Sequence, residues 1–221
     1  MHNPEFSIVE WYRRGEDHRD AMARTERLVR AMMPGRFSAD PFPVVRYWDA
    51  VADACGRRAE ALDARGLSSL AVECGVDVSG PLDRDGWLNA ILAEVVEPRL
   101  AAMSVVFVTD YPDTQSALAV VRDGDPPVAE RFELYVGGVE VANGYHELTD
   151  ADELRRRFVR QNELRVAAGK DPLPVDSRLL DAMRAGLPSC AGVAVGWDRV
   201  AMLALGLDDV REAMSFPVAE A

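Results

Sequence analysis

Two strand-type runs on either side of Gly137-Gly138 constrain the fold of this chain more than any other feature. The paired glycines suit a tight turn, so residues 130–136 and 139–147 are predicted to form a β-hairpin. A hairpin requires an antiparallel sheet. Further strands are predicted at 6–12, 104–110 and 191–196, and helices at 17–33, 44–55, 58–65, 85–96, 150–168 and 176–185. We therefore predict one α+β domain over residues 1–221, an antiparallel sheet flanked by helices.

The hairpin carries an unusual set of acidic side chains. Glu133 and Glu140 lie at about equal distances from Gly137, so the hairpin would bring them together, and Asn143 and Glu147 follow on the return strand. Neighbouring carboxylates in a sheet are unfavourable without a cation, and Mg²⁺ favours carboxylates together with substrate phosphates. A solvated outer face would also explain the pattern. We favour a site, because the acids and the Asn recur beside glycines in one hairpin.

A strand near the C-terminus has almost no side chains on one face. Val193 and Val195 would point into a core, whereas Gly192, Ala194 and Gly196 would point the other way. Such a bare face suits either a flat ligand lying against the backbone or a closely packed neighbouring backbone.

The residues after this strand are predicted to begin a helix. Asp198 is expected to cap it, and Thr149 is expected to cap the helix at 150–168. Arg199 would lie at the rim of the bare face, where a planar guanidinium can stack on a base or hold phosphate oxygens. We expect the hairpin acids and Arg199 to surround one shared cavity.

Glu10 is the anomaly of the first strand, because a carboxylate on an aromatic-lined face is costly unless it is paired. A salt bridge to an arginine and a bound ligand amine both remain open as explanations. Trp48 and Trp87 are predicted to be core or interface residues, and residues 38–98 show no pattern typical of chemistry.

The composition excludes several classes of function. A formal net charge of −12 opposes broad contact with nucleic acid. Three cysteines without a close sequence pair and three histidines indicate neither a disulfide framework nor a zinc site. No run is long enough to span a membrane, and the first residues do not resemble a signal peptide. We expect a reducing, cytoplasmic setting.

The chain resembles the catalytic domain of class II aminoacyl-tRNA synthetases of the lysyl subgroup. Within that group it is most similar to the (R)-β-lysine ligases that modify elongation factor P. The residues that carry the resemblance are His2-Asn3-Pro4-Glu5-Phe6, Glu10-Trp11-Tyr12, Arg131-Phe132-Glu133, residues 140–150 and residues 192–199. It extends over nearly the whole chain and is weak only between Pro34 and Met103.

The resemblance implies ATP-dependent activation of an amino acid as an adenylate, with Mg²⁺ as cofactor. It implies that Arg199 and Glu140 are catalytic and that Glu133 and Glu140 hold the metal. The nucleotide residues implied are Asn3, Phe6, Glu140, Val141, Gly196 and Arg199. The amino-acid pocket implied is Glu10, Tyr12, Asn143, Glu147 and Ala194. Ala194 occupies a position that is glycine in typical lysyl-tRNA synthetases and alanine in the β-lysine ligases.

The partners implied are β-lysine or lysine, elongation factor P as acceptor and a second copy in a homodimer. tRNA is not expected, because an anticodon-binding domain is absent. By the same resemblance Met1 falls inside the second class-defining motif. Either the gene product begins upstream, or the chain is a shortened paralogue that binds nucleotide or amino acid without catalysis. Activation of an amino acid for another carrier or for tRNA is a third alternative.

Overall fold

The computed structural model describes residues 3–78, 80 and 82–218, so Met1 and His2 of the predicted motif lie outside the described residues. A seven-stranded sheet is arranged in the order β1-β7-β6-β5-β3-β2, with β4 paired to β5. The strands are β1 (Ile8–Arg14), β2 (Val44–Arg46), β3 (Val105–Pro112), β4 (Val121–Arg122), β5 (Val128–Val136), β6 (Val139–His146) and β7 (Cys190–Gly196). Neighbours are antiparallel except for the parallel pair β2–β3, which confirms the predicted fold class.

Helices lie on both faces of the sheet. In chain order they are α1 (His18–Met32), α2 (Tyr47–Cys55), α3 (Ala64–Glu73), α4 (Arg84–Ile91), α5 (Glu97–Leu100), α6 (Ala151–Ala167), α7 (Ser177–Arg184) and α8 (Trp197–Leu205). Short acidic side chains begin several of them. Asp17 caps α1 in a reciprocal capping box with Asp20, and Asp150, not the predicted Thr149, caps α6.

The segment between α1 and β3 differs most from the sequence prediction. Val44–Arg46 is a strand parallel to β3 rather than the start of a helix, and the predicted helix at 58–65 is replaced by α3. The helix predicted at 85–96 instead continues to Leu100. A π-helical turn, Leu92–Val96, follows α4 and leads into α5, where Pro98 sits in the first turn.

The two faces of the sheet are covered differently. The back face packs against α1 through a core that includes Phe107, Phe132 and Val195. The front face of β3 and β5 is covered by α2–α5, whose core includes Trp48 and Trp87 as predicted. The front face of β1 stays exposed, because Ile8 and Tyr12 are 44% and 68% exposed. Within the described residues, none of the helices combines the length and apolar character that a membrane crossing requires.

Candidate active site

The strand register confirms the bare face of β7. Val193 and Val195 are buried in the back core, 4% and 0% exposed. Ala194 lies between Glu10 of β1 and Asn143 of β6, so the three residues form one row on the front face.

A second row lies beside the first. Gly192 is paired with Tyr12 on β1 and Tyr145 on β6, and Tyr145 is paired with Arg131 on β5. The two rows place residues from four strands on the front face, where their side chains can act together.

A cavity of about 290 Å³ opens on this face at the Gly196 end of β7. Eight of the predicted site residues line it: Asn3, Phe6, Glu140, Val141, Asn143, Ala194, Gly196 and Arg199. The predicted residues Glu10, Tyr12, Glu133 and Glu147 lie outside its lining. The structure therefore brings all the predicted nucleotide residues together in one cavity. Three of the five predicted amino-acid residues, Glu10, Tyr12 and Glu147, lie outside that cavity.

Arg199 and Glu140 form the charged wall of this cavity. The Arg199 Nη1 donates to the Glu140 carbonyl oxygen at 2.8 Å and lies 3.4 Å from the Glu140 Oε2. Both side chains are partly exposed, 28% and 37%. Burial and the nearby Glu133 charge raise the pKa of Glu140, while Arg199 opposes that shift. An anionic ligand would therefore meet an oriented guanidinium beside a carboxyl group whose ionised form a further cation would favour.

A β-bulge places Glu140 and Asn143 on the same face. Glu140 is opposite Tyr135, whereas Ala142 is opposite Leu134, so Val141 is an extra residue in β6. In a regular strand, the odd spacing of three would point Glu140 and Asn143 to opposite faces. Glu133 is opposite Asn143 and influences the Glu140 carboxyl, which confirms the predicted neighbourhood of the two acids.

Glu133 lies behind this wall, 6% exposed, and is held by residues that the sequence analysis did not assign to the site. Its Oε2 accepts hydrogen bonds from the Tyr111 hydroxyl at 2.6 Å and the Tyr135 hydroxyl at 2.7 Å, and its Oε1 accepts one from the Arg131 Nη2 at 2.5 Å. Alternation along β5 indicates that residues 131, 133 and 135 share a face, but no sequence pattern places Tyr111 beside them.

Of the two predicted magnesium ligands, Glu133 and Glu140, only Glu140 lies at the cavity. Mg²⁺ prefers one or two carboxylates together with substrate phosphates, and the Glu140 carboxylate at the cavity meets that requirement. In the described part of the chain, no three His, Cys, Asp or Glu side chains form a ready-made metal cluster. A direct metal role for Glu133 remains a prediction, and it would compete with the three donors that already hold this carboxylate.

Glu147 and Tyr12 fill the bare face at the other end of β7. A Cβ on Gly192 would overlap the Glu147 Oε1 and lie 2.6 Å from the Tyr12 Cε1. The space beside Gly192 is thus occupied by protein side chains. This corrects the prediction that a flat ligand lies against the backbone there. Glu147 is 9% exposed, and burial raises its pKa to about 7. A cationic ligand beside Glu147 would stabilise the ionised form of this carboxyl group.

Two polar groups near the cavity lack partners within the described residues. The buried Asn143 Oδ1 has no hydrogen-bond donor there, and it lines the cavity, so a ligand N–H would satisfy it. Glu10 is exposed and has no cationic side chain within 4.0 Å among residues 3–218 that the structure describes, so the salt-bridge explanation is not realised there.

Asp198 has a different role from the predicted helix cap. The cap position of α8 is Gly196, and the Asp198 Oδ2 instead accepts a hydrogen bond from the Ser7 backbone N at 2.6 Å. The Trp197 backbone N also donates to the Ser7 carbonyl at 3.0 Å. These bonds join the segment before β1 to α8, and thereby hold Phe6 and Arg199 around one cavity.

A larger cleft, about 760 Å³, lies between α4, residues 113–118 and α6. None of the predicted site residues lines it. Among the residues of the two rows and those that hold Glu133, only Arg131 does. We therefore place the candidate active site at the smaller cavity, where the oriented charges and the unsatisfied polar atom are.

Known proteins match this chain over nearly its whole length. The family model described as tRNA synthetases class II (D, K and N) matches residues 1–220. Curated relatives named elongation factor P–(R)-β-lysine ligase are 39% identical in Vibrio atlanticus over 220 residues, 39% in Photobacterium profundum over 219 and 39% in Histophilus somni over 217. In each case the match covers 98% of this chain but only 66%, 67% and 66% of the relative, so the chain spans about two thirds of their length.

Proposed function

This chain belongs to the family of class II tRNA synthetases (D, K and N), and from that premise we propose that it is an ATP-dependent ligase. It would activate β-lysine, or lysine, as an adenylate and transfer it to a lysine of elongation factor P. The names of the relatives support the substrate and the acceptor. The observation that carries the proposal is the single front face on which the Arg199–Glu140 pair, the unpartnered Asn143 Oδ1 and the buried Glu147 carboxyl adjoin.

The nucleotide would occupy the cavity at the Gly196 end. Phe6, 62% exposed, offers a ring for the adenine on one wall, and Arg199 offers its guanidinium on another. Asn3, Val141 and Gly196 would complete the site, because they line the same cavity. Glu140 would hold the magnesium ion that accompanies the phosphates, and that ion would supply charge neutralisation and polarisation of the α-phosphorus.

The amino acid would lie between Asn143 and Glu147. The Glu147 carboxylate would bind the distal ammonium group, and the Asn143 Oδ1 would accept from a second amine N–H. Glu10 and Tyr12 would close the pocket on the β1 side, and the Ala194 methyl group in the same row would shape it.

The proposed chemistry needs positioning and charge neutralisation rather than a protein nucleophile. A carboxylate oxygen of the amino acid would attack the α-phosphorus, and pyrophosphate would leave. Arg199, fixed by the Glu140 carbonyl, would offset the negative charge that develops on the phosphate oxygens. The acceptor lysine amine would then attack the acyl carbon, forming an amide and releasing AMP. A homodimer, and no role for tRNA, complete the proposal.

The test is amino-acid-dependent exchange between pyrophosphate and ATP by the 221-residue chain. We expect exchange with (R)-β-lysine to exceed exchange with α-lysine, and we expect none with glutamine, which lacks the distal ammonium group. Addition of elongation factor P should then produce a protein whose mass has grown by one β-lysyl group. The Glu147→Gln variant is the matched control, because it keeps the side-chain volume and removes the charge.

Two outcomes would contradict the proposal. Calorimetry that detects ATP binding without any exchange would favour the non-catalytic relative. Exchange that responds to an amino acid without a second amine, and is unchanged in Glu147→Gln, would show that another substrate is activated.

A further inference from the structure

Three consecutive arginines on α6, residues 155–157, have different surroundings in the folded chain. The side chain of Arg156 is 66% exposed, whereas that of Arg157 is 17% exposed. Both donate through Nε to the Glu153 carboxylate at 2.9 Å, so this ion pair does not explain why Arg157 is the less exposed of the two. A further contact of Arg157 explains it.

The Arg157 guanidinium also reaches the loop between β3 and β4, residues 113–120. Its Nη1 donates to the Ala117 carbonyl at 3.0 Å and to the Ala119 carbonyl at 2.8 Å. Ala117 has a φ of 48°, in the left-handed region that an alanine adopts only at a cost in conformational energy. The loop therefore depends on bonds from outside itself, and Arg157 supplies two that its charge strengthens.

The same loop is the backbone partner of Glu147. Ala119 and Glu147 form an antiparallel bridge. Hydrogen bonds of 2.8 Å flank this bridge, one from the Leu148 N to the Leu118 carbonyl and one from the Val120 N to the carbonyl of the residue before Glu147. The position of the Glu147 backbone thus depends on the loop that Arg157 holds.

We propose that Arg157 is a positioning residue for the amino-acid pocket, because it holds the loop that fixes the backbone of Glu147. In the part of the chain that the structure describes, no hydrogen bond or ion pair joins Arg157 to Glu147 itself, so the effect passes through the backbone. Arg157 lines the larger cleft and not the cavity of the candidate active site. The inference rests on the proposed function, in which Glu147 binds the distal ammonium group.

The first experiment compares Arg157→Ala with Arg156→Ala in the full 221-residue chain by steady-state ATP–pyrophosphate exchange. Arg156→Ala is the matched control, because it removes an arginine that shares the Glu153 ion pair but leaves the loop carbonyls bonded. We expect Arg157→Ala to raise the KM for β-lysine about tenfold and to leave the KM for ATP within twofold, and Arg156→Ala to change neither. Arg157→Lys keeps a charged donor and should recover part of the loss.

A double-mutant cycle separates positioning from a general loss of stability. If Arg157 acts through Glu147, then Arg157→Ala should raise the KM for β-lysine by less than about twofold in the Glu147→Gln background. Effects of the two substitutions that simply multiply would overturn the proposal. A KM for ATP that rises as much as the KM for β-lysine in Arg157→Ala would also overturn it.

Amide hydrogen–deuterium exchange tests the contact without any enzymatic activity. The Leu148 N–H should exchange about tenfold faster in Arg157→Ala than in the parent chain, and Arg156→Ala should match the parent. If the parent chain shows no β-lysine-dependent ATP–pyrophosphate exchange, the proposed function fails. Faster deuterium exchange in Arg157→Ala would then still show that Arg157 holds the Glu147 backbone, whereas unchanged protection of Leu148 would overturn the positioning role in an active or an inactive protein.

Discussion

The two ends of β7 carry the same residue for different reasons. At Gly196 the front face opens into the cavity, and a Cβ there would only meet the Arg199 Cδ at an ordinary 3.6 Å. At Gly192 the Glu147 and Tyr12 side chains occupy the space on the front face and leave no room for a Cβ. The open end is therefore expected to serve the nucleotide, and the filled end the amine.

The difference shows that a glycine pattern gives the place of a site but not its occupant. Gly192 and Gly196 belong to one alternating strand and share its front face. What separates them is long-range: Tyr12 comes from β1 and Glu147 follows β6. Substitutions at the open end should therefore alter the binding and use of ATP, and substitutions at the filled end those of the amino acid.

The largest effect is expected from Arg199→Ala at the open end. Loss of the guanidinium removes the charge that would offset the phosphate oxygens, so kcat/KM for ATP–pyrophosphate exchange should fall about 10²–10³-fold. Arg199→Lys keeps the charge but not the planar fork and should recover part of the loss. An Arg199→Ala protein within threefold of the parent rate would break the assignment of this end to the nucleotide.

Glu147→Gln should have the next largest effect, at the filled end. Removing the partner of the distal ammonium should raise the KM for β-lysine about 10–100-fold while leaving the KM for ATP within twofold. In the parent protein, binding of the cationic amine should strengthen as the pH rises through about 7, where Glu147 ionises, and this dependence should vanish in the variant.

Stability measurements provide an independent check on Glu147. Its folded pKa, about 7, lies above the ordinary 4.5, so its contribution to stability is complete below pH 4.5 and is lost as the pH rises to 7. Glu147→Gln should therefore be more stable than the parent in urea at pH 8, by up to about 3 kcal/mol, and the gain should disappear near pH 4.5. Equal differences at both pH values would contradict a buried, protonated carboxyl.

Gly192→Ala against Gly196→Ala tests the comparison most directly. The added methyl at position 192 must displace Glu147 or Tyr12, so the KM for β-lysine should rise about tenfold and the unfolding free energy should fall by about 1–3 kcal/mol. The methyl at position 196 meets only ordinary contacts, so stability should change little. Steady-state kinetics and urea unfolding of both variants measure the KM for β-lysine and the unfolding free energy. Equal changes in the two variants would contradict the distinction between the two ends of β7.

The smallest effect is expected at Ala194, which lies between the two ends. Ala194→Gly removes one methyl group from the row that contains Glu10 and Asn143, so the ratio of kcat/KM values for (R)-β-lysine and α-lysine should shift about two- to fivefold toward α-lysine. Exchange assays with both substrates measure the ratio. A shift toward β-lysine would show that the methyl group does not favour that isomer.

Local patterns allowed most of the sheet to be predicted, and the hairpin acids and the bare strand indicated part of the cavity. Asn3, Phe6 and Val141 were assigned only by the family resemblance. The Gly137-Gly138 turn fixed the hairpin, and alternation gave the faces of β7. Residues 44–65 were predicted less well, since Val44–Arg46 pairs with β3, a distant strand.

The support of the acidic site shows the same limit. Tyr111 and Arg131 hold Glu133 only because β3 and β5 are neighbours in the folded sheet. Asp198 was predicted as a cap from its local position, yet it bonds Ser7 at the opposite end of the chain. Local sequence indicates which groups carry charge, whereas the partners that orient them come from tertiary packing.

The extra residue Val141 gives β6 one place where its length can change. Deletion of Val141 would leave a spacing of two between Glu140 and Asn143, so both side chains would stay on the front face of a regular strand. Deletion of Gly144 would instead bring Tyr145 next to Asn143 along the strand and turn its side chain toward the back core. One-residue length differences among related chains should therefore fall at Val141 or at the Gly137-Gly138 turn.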